Sequence, residues 1–332
     1  MLKVAPQSEA FAEWMKQHNL FDVEAEMYSK VVPEMEQLYR EAGQEVRFGA
    51  HGHQLPIEEN YILLEDLRPY GFKNANRLNG LDLKHTHKVL QKLAQWHAAS
   101  ATRVALRGPY SDLISKGYMR ESGKKIMQDM FAGNIPIIHK ALQTYKGHEQ
   151  YLQPMLDLLP TLIDEIFDLV NYDDSEFNVL NHGDAWCNNV MFKYSDEGEI
   201  EQTYLVDYQV PMYATPAKDL FYFLLSSTQL EHKIPQFEEM VKYYYDHLIE
   251  NLKLLKYPRK LPTLREIHSA LYKYSLWAVH TVFGVMGAAL LDSTENANIQ
   301  NILHDPNFKL QMYTNQRFKS HIEVILPWLH NR

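Results

Sequence analysis

The stretch Asn181-His182-Gly183-Asp184-Ala185-Trp186-Cys187-Asn188-Asn189-Val190-Met191-Phe192, followed by Leu205-Val206-Asp207-Tyr208-Gln209, decides how this chain is read. It holds a His-x-Asp, an Asn five residues after that Asp, and a second Asp closing the next alternating run. Asn189–Tyr194 and Thr203–Asp207 alternate as strands do, and Asp196-Glu197-Gly198 between them supplies turn residues. A hairpin there would bring Asp207 back beside Asn189.

These residue types suit phosphoryl transfer. The transition state spreads negative charge over the transferred group, so the protein mainly positions reactants and holds Mg²⁺ against those oxygens. Asp184 fits the role of a carboxylate that orients an acceptor hydroxyl and takes its proton. Mg²⁺ prefers oxygen ligands and takes few of them from protein. Asn189 offers an amide oxygen and Asp207 a carboxylate, and Asp-x4-Asn is the spacing of a kinase catalytic loop.

Outward from this stretch the chain is mostly helical. Residues 7–40 read as helix interrupted at Pro33, with Phe21, Glu24 and Tyr28 on one face. Arg47–Ala50 and Tyr61–Glu65 read as strands, and the Pro-, Gly- and Asn-rich Arg68–Asp82 as a crossing between lobes. Asp82 is placed to cap a helix over Leu83–Thr102. Residues 110–145 read as helix broken at Gly133 and Pro136, and Gln150–Val170 as one amphipathic helix. Helix resumes after Pro216 and continues to Arg332. The expected class is α+β: a small mixed lobe over 1–67, and a helical lobe over 68–332 that carries the catalytic loop and the hairpin. A cleft between two such lobes is a common ligand site.

Bulk properties narrow the partners. The chain has 332 residues, 45% of them apolar, a net charge of −9 and no dense basic stretch, so nucleic acid is not an expected partner. One cysteine, Cys187, excludes an internal disulfide. The start of the chain has no apolar signal region, and a cytoplasmic location is expected. Ser275–Leu291 is short for a membrane span and carries His280 near its middle, so it reads as a buried helix. No membrane partner is expected.

The ordered series of motifs resembles the ecdysteroid-kinase-like (CHK kinase-like) family, within the aminoglycoside phosphotransferase and choline kinase superfamily. It comprises Phe21-x-x-Glu24-x-x-x-Tyr28, Leu64-Glu65-Asp66-Leu67, Leu93-Ala94-x-x-His97-Ala98-x-Ser100, the catalytic stretch, and Lys218-Asp219-Leu220-Phe221-Tyr222-Phe223-Leu224. The resemblance implies a protein-kinase-like two-lobed fold and ATP- and Mg²⁺-dependent phosphorylation of a small-molecule alcohol, steroid-like or xenobiotic. It implies Asp184 as catalytic base with His182 and Asp219 bracing its loop, and Asn189 and Asp207 as Mg²⁺ ligands. It implies Leu64–Leu67 (with Glu65, Asp66 and Leu67) as the hinge at adenine, and Lys3 as the phosphate-contacting lysine paired with Glu24. Only Met1 and Leu2 precede Lys3, so the family's nucleotide-covering hairpin has no counterpart there and the small lobe is expected to be incomplete. The alternative reading is a truncated or catalytically weak, pseudokinase-like binding module.

His97 reads as a core histidine and Cys187 as a packed thiol. His51/His53 and His85/His87 lack the ligand number a zinc site needs. The acceptor is expected around Ser111–Tyr145 and Trp277–Met286.

Overall fold

The computed structural model describes residues 1–4, 19–53, 61–117, 119–292 and 305–332. Among these the class is α+β and two-lobed. The small lobe is built on a sheet in the order β1 (Leu2–Val4), β3 (Tyr61–Leu64), β2 (Gly52–His53). β1 runs antiparallel to β3 with Lys3 opposite Ile62. Ile62 and Leu64 face inward from β3, while Lys3, on the central residue of β1, reaches the helix below.

That helix is α1 (Leu20–Glu26), followed by a π-helical turn (Met27–Val31) and α2 (Val32–Glu41). The expected break at Pro33 is not a break. Proline sits in the first turn of α2, where its missing N–H costs little, and the wide π turn just before it absorbs the mismatch. The expected helical stretch 7–18 lies outside the described residues.

The strand expected at Arg47–Ala50 is absent. This segment is extended but gains one ladder bond, Leu205 N–H to the Phe48 carbonyl (2.7 Å), and the Phe48 N–H goes to the Glu36 carboxylate instead (2.9 Å). Gly49 lies so close to the Leu205 carbonyl that a Cβ there would stand 2.3 Å from its oxygen. The strand role passes to β2.

The helical lobe centres on α3 (Leu83–Arg107), longer than its apolar stripe suggested. Asp82 caps it by accepting the His85 N–H (2.9 Å), and Gly108, at φ 85°, ends it. Its buried face, with Leu90, Leu93, Ala94 and His97, packs on α10 (Phe237–Leu254) through Tyr244, Leu248 and Leu252. Each such fully buried leucine contributes about 2 kcal/mol.

Between α3 and α10 lie α4 (Asp112–Ser115), α5 (Glu121–Leu142), α6 (Glu149–Leu158), α7 (Leu162–Asp168), β4 (Val179–Asn181), β5 (Val190–Tyr194), β6 (Ile200–Leu205), β7 (Met212–Ala214), α8 (Ala217–Ser227) and α9 (Leu230–Lys233). Gly133 and Pro136 do not break α5, which runs through both. The helix expected over Gln150–Val170 is two, because Pro160 follows α6 and cannot continue its ladder. β5 and β6 form the expected hairpin, with Val190 opposite Leu205 and Gly198 at φ 83° in the turn; β6 stops two residues short of Asp207. Pairing of β4 with β7 was not foreseen.

Past α10 come α11 (Leu264–Lys273), α12 (Leu276–Phe283), α13 (Val285–Ala289), α14 (Pro306–Thr314) and α15 (Gln316–His330). The buried helix read over Ser275–Leu291 is α12 and α13, divided at Gly284. No helix among the described residues is long and apolar enough to cross a membrane.

Candidate active site

The catalytic stretch is a loop strung between β4 and β5, and its shape is set from beneath. Asp219, in the first turn of α8, is wholly buried and accepts the backbone N–H groups of His182 (2.6 Å) and Gly183 (2.9 Å). His97 Nε2 on α3 stands 3.2 Å from the same carboxylate, and its Nδ1 meets the Tyr244 hydroxyl at 2.7 Å. Burial alone would raise the Asp219 carboxyl. The hydrogen bond from His97 and the nearby His97, Lys218 and His182 outweigh it and hold the group below the usual carboxylate range. The core histidine read from the sequence therefore supports the loop from behind.

Asn181 ties the same end of the loop to β7. Its amide donates to the carbonyls of Met212 (3.1 Å), Ala214 (3.3 Å) and Thr215 (3.1 Å), and its oxygen accepts the Asp219 N–H (3.1 Å). Gly183 turns at φ 84°, and a Cβ there would lie 1.9 Å from the Val210 carbonyl oxygen. No other residue fits.

On this frame Asp184 turns upward. Its Oδ2 accepts the Asn189 side-chain amide (2.7 Å) and its Oδ1 a hydrogen bond from the Tyr222 hydroxyl. Burial, reinforced by the Asp207 charge, pushes its pKa up to about 7, against the pull of Tyr222, Lys218 and Asn189. His182 is fully buried. Its Nδ1 accepts the Asp184 N–H (3.3 Å) and its Nε2 lies 3.2 Å from the Val206 carbonyl, so it acts on Asp184 and the Asp207 strand and not on a ligand. Burial lowers its pKa.

The hairpin does bring Asp207 home. Val206 N–H meets the Asn189 carbonyl (3.0 Å), and Asp207 follows in a left-handed turn at φ 70°. Its Oδ1 is 3.5 Å from Lys3 Nζ, which is also 2.6 Å from Glu24 Oε1. Glu24 is 1% exposed, and its other oxygen accepts the Gln209 amide (3.0 Å). Burial opposes the Lys3 charge, but Glu24 and Asp207 together raise its pKa, so it is a fixed cation at the mouth of the site.

A cavity of about 370 Å³ opens here between the lobes. Lys3 and Leu64–Leu67 line it from above; Asn189, Met191, Val206 and Asp207 line it from below. The side chains of Glu65 and Asp66 are spoken for: Glu65 by Arg47 Nη2 (2.5 Å) and the His51 N–H (3.2 Å), Asp66 by Arg68 (2.8 Å). The Glu65 carbonyl and the Leu67 N–H have no hydrogen-bond partner among the described residues. An alternating acceptor and donor on backbone suits the edge of a purine.

The donor set also fits a hard cation. Both Asn189 amide hydrogens go to Asp184, one to its backbone carbonyl (3.0 Å), which leaves Oδ1 unengaged among the described residues. Asp207 keeps its second carboxylate oxygen and is 36% exposed toward the cleft. Among the described residues no group of three or more His, Cys, Asp or Glu could hold a metal ion. Two protein oxygens are a set that Mg²⁺ completes with water and phosphate.

Lys3, Glu24, Leu64–Leu67, His97, His182, Asp184, Asn189, Asp207 and Asp219 lie at this cleft or directly behind it, whereas His85 and His87 lie on α3 against Tyr194 and Tyr243. Tyr222, Lys218 and Asn181 lie within the quoted motifs, but the sequence assigns them no role. Tyr222 had a signal, being three residues past Asp219 on α8 and so on the same helix face. Lys218 is 2% exposed, reaches the Gly183 carbonyl (3.3 Å) and lies over the Trp277 ring (5.5 Å). Cys187 is a packed thiol whose pKa burial pushes up to about 11.

Solved structures similar to the chain include an ethanolamine kinase from Plasmodium vivax, at 12% identity and a TM-score of 0.40, covering 91% of this chain and 74% of that one. Another is a choline kinase from Cryptosporidium parvum Iowa II, at 12% identity and a TM-score of 0.44, covering 91% and 79%. No curated protein matches. The model described as the ecdysteroid kinase-like family matches residues 1–257, most of the 332, and the chain belongs to that family.

Proposed function

We propose that this chain is a small-molecule kinase that uses ATP and Mg²⁺ to phosphorylate a hydroxyl of a steroid-like or xenobiotic alcohol. The observation that carries this reading is the convergence of Asp184, Asn189 and Asp207, with the Lys3–Glu24 pair, around one inter-lobe cleft. Bound Mg·ATP would supply the phosphoryl group and neutralise charge on its oxygens.

The chain's own residues do the rest. Lys3, steadied by Glu24, presents a cation to the nucleotide phosphates. Asn189 Oδ1 and Asp207 hold the metal. The Glu65 carbonyl and Leu67 N–H orient the base. Asp184 accepts the acceptor's proton at a carboxylate oxygen, and a pKa near 7 suits a group that must bind and release a proton at neutral pH. Tyr222 and Asn189 fix its rotamer. The acceptor side is approached by two expected segments. Gly117 packs against the Pro211 carbonyl, where a Cβ would stand 2.3 Å from its oxygen, and Trp277 on α12 lies under Lys218, which touches the catalytic loop. The methionine and aromatic content of these segments suits a hydrophobic alcohol.

The test is ADP release that depends on an added alcohol. Asp184→Asn is expected to reduce transfer by about 10³-fold or more while nucleotide binding persists. Transfer at the native rate by this variant would remove Asp184 from the mechanism. ATP binding without turnover by the unaltered chain would favour the binding module.

A further inference from the structure

We propose that a second ligand site, for a phosphate-type oxyanion, lies outside the cleft in the cavity between α3, β6 and residues 45–47. This cavity measures about 460 Å³. Its inner wall is rich in unused donors. Lys88 and Lys92 stand one turn apart on α3 and so share a face. Lys88 makes no ion pair or hydrogen bond with any described residue. Lys92 Nζ donates to the Arg47 carbonyl (2.9 Å) and lies over the Phe48 ring (5.6 Å), and burial pushes its pKa down to about 8. Arg47 spends Nη2 on Glu65 and the Gly49 carbonyl and leaves Nε buried with no partner. Thr203, 5% exposed on β6, has a buried hydroxyl with no partner.

Of these groups Arg47 alone is paired with an acid, Glu65 (2.5 Å). Glu45 and Glu201 line the cavity from its exposed rim, and Glu201 leans toward Lys193 at 3.8 Å. The buried Glu36 is the carboxylate that raises Lys92, but its Oε1 is taken by the Phe48 N–H. Buried donors without acceptors are costly, and a multivalent acceptor answers several at once. A tetrahedral oxyanion matches two ammonium groups, a guanidinium N–H and a hydroxyl. Arg47 also holds the hinge residue Glu65, so an occupant draws on the same guanidinium and couples this cavity to the cleft.

The probes are inorganic phosphate and phenyl phosphate, titrated separately into the full chain by calorimetry at low salt. Saturable binding of at least one is expected. It should weaken about tenfold or more in Lys88→Ala and in Lys92→Gln, and stay unchanged in Lys3→Met, which removes the cation of the cleft. The nearly isosteric Thr203→Val, which removes the hydroxyl and little else, should weaken it too and guards against a folding defect in the lysine variants. Tighter binding of the ester assigns a phosphorylated metabolite; equal binding assigns the free ion. The proposal is overturned if neither probe saturates, if Lys88→Ala binds as the native chain does, or if Lys3→Met abolishes binding and so places the anion in the cleft. These readouts need no turnover, so they stand apart from the kinase reading.

Discussion

Asn in place of Asp219 is the most informative single change, because its cost is readable from the contacts. The carboxylate takes two backbone N–H groups with separate oxygens, His182 N–H on Oδ2 and Gly183 N–H on Oδ1. An amide has one oxygen, so one of these buried donors must face an NH₂. A buried donor left unmade costs about 1–3 kcal/mol, and losing the charge from the surviving bonds adds about 1 kcal/mol. The expected loss of unfolding free energy is therefore about 2–4 kcal/mol. In urea, at a slope of about 2 kcal/mol per molar, the midpoint falls by about 1–2 M.

The effect also has a pH signature. The Asp219 pKa is depressed in the fold, so its contribution is fully present above the unfolded value and is lost as pH falls through the folded one. The gap between native and variant chains should narrow on acidification below about pH 4. A midpoint within about 0.2 M of native at an unchanged slope, or a gap that widens in acid, refutes Asp219 as the clamp of the catalytic loop.

Gly183→Ala sets a Cβ against the Val210 carbonyl at a positive φ, and should lower the thermal midpoint by about 5 °C or more with loss of turnover; scanning calorimetry reads the first and ADP release the second. Lys233 is fully buried, donates to the Leu225 carbonyl, and burial depresses its pKa to about 7. Between that value and the ordinary lysine value of about 10.4 the unfolded chain binds more protons, so stability should rise with pH across this window; Lys233→Met should flatten the rise in urea melts taken at pH 7 and pH 9.5.

Much of the site was legible because its chemistry is local. The Asp184–Asn189 spacing and the hairpin returning Asp207 needed no tertiary information. Lys3 and Glu24 are far apart in the chain, and only the family resemblance linked them. Tyr222 was quoted without a role because its meaning depends on where α8 docks. Punctuation by proline and glycine misled where tertiary context absorbed it. Pro33 falls in a first turn and Pro136 inside a helix that continues, whereas Pro160 divides one helix from the next. Arg47–Ala50 reads as a strand in the sequence, where Phe48 and Ala50 alternate with Arg47 and Gly49. Its backbone groups bond to Glu36, a single β6 N–H and the side chains of Lys92 and Arg47, which no pattern of side chains reveals.

The central claim is that Asn189 and Asp207 hold magnesium on a nucleotide in this cleft. The most direct measurement is the thermal shift of the full chain with ATP, with and without Mg²⁺, for the native sequence and Asp207→Ala. A Mg²⁺-dependent rise that Asp207→Ala abolishes is the predicted result. An equal rise in both chains, or one indifferent to Mg²⁺, contradicts the account.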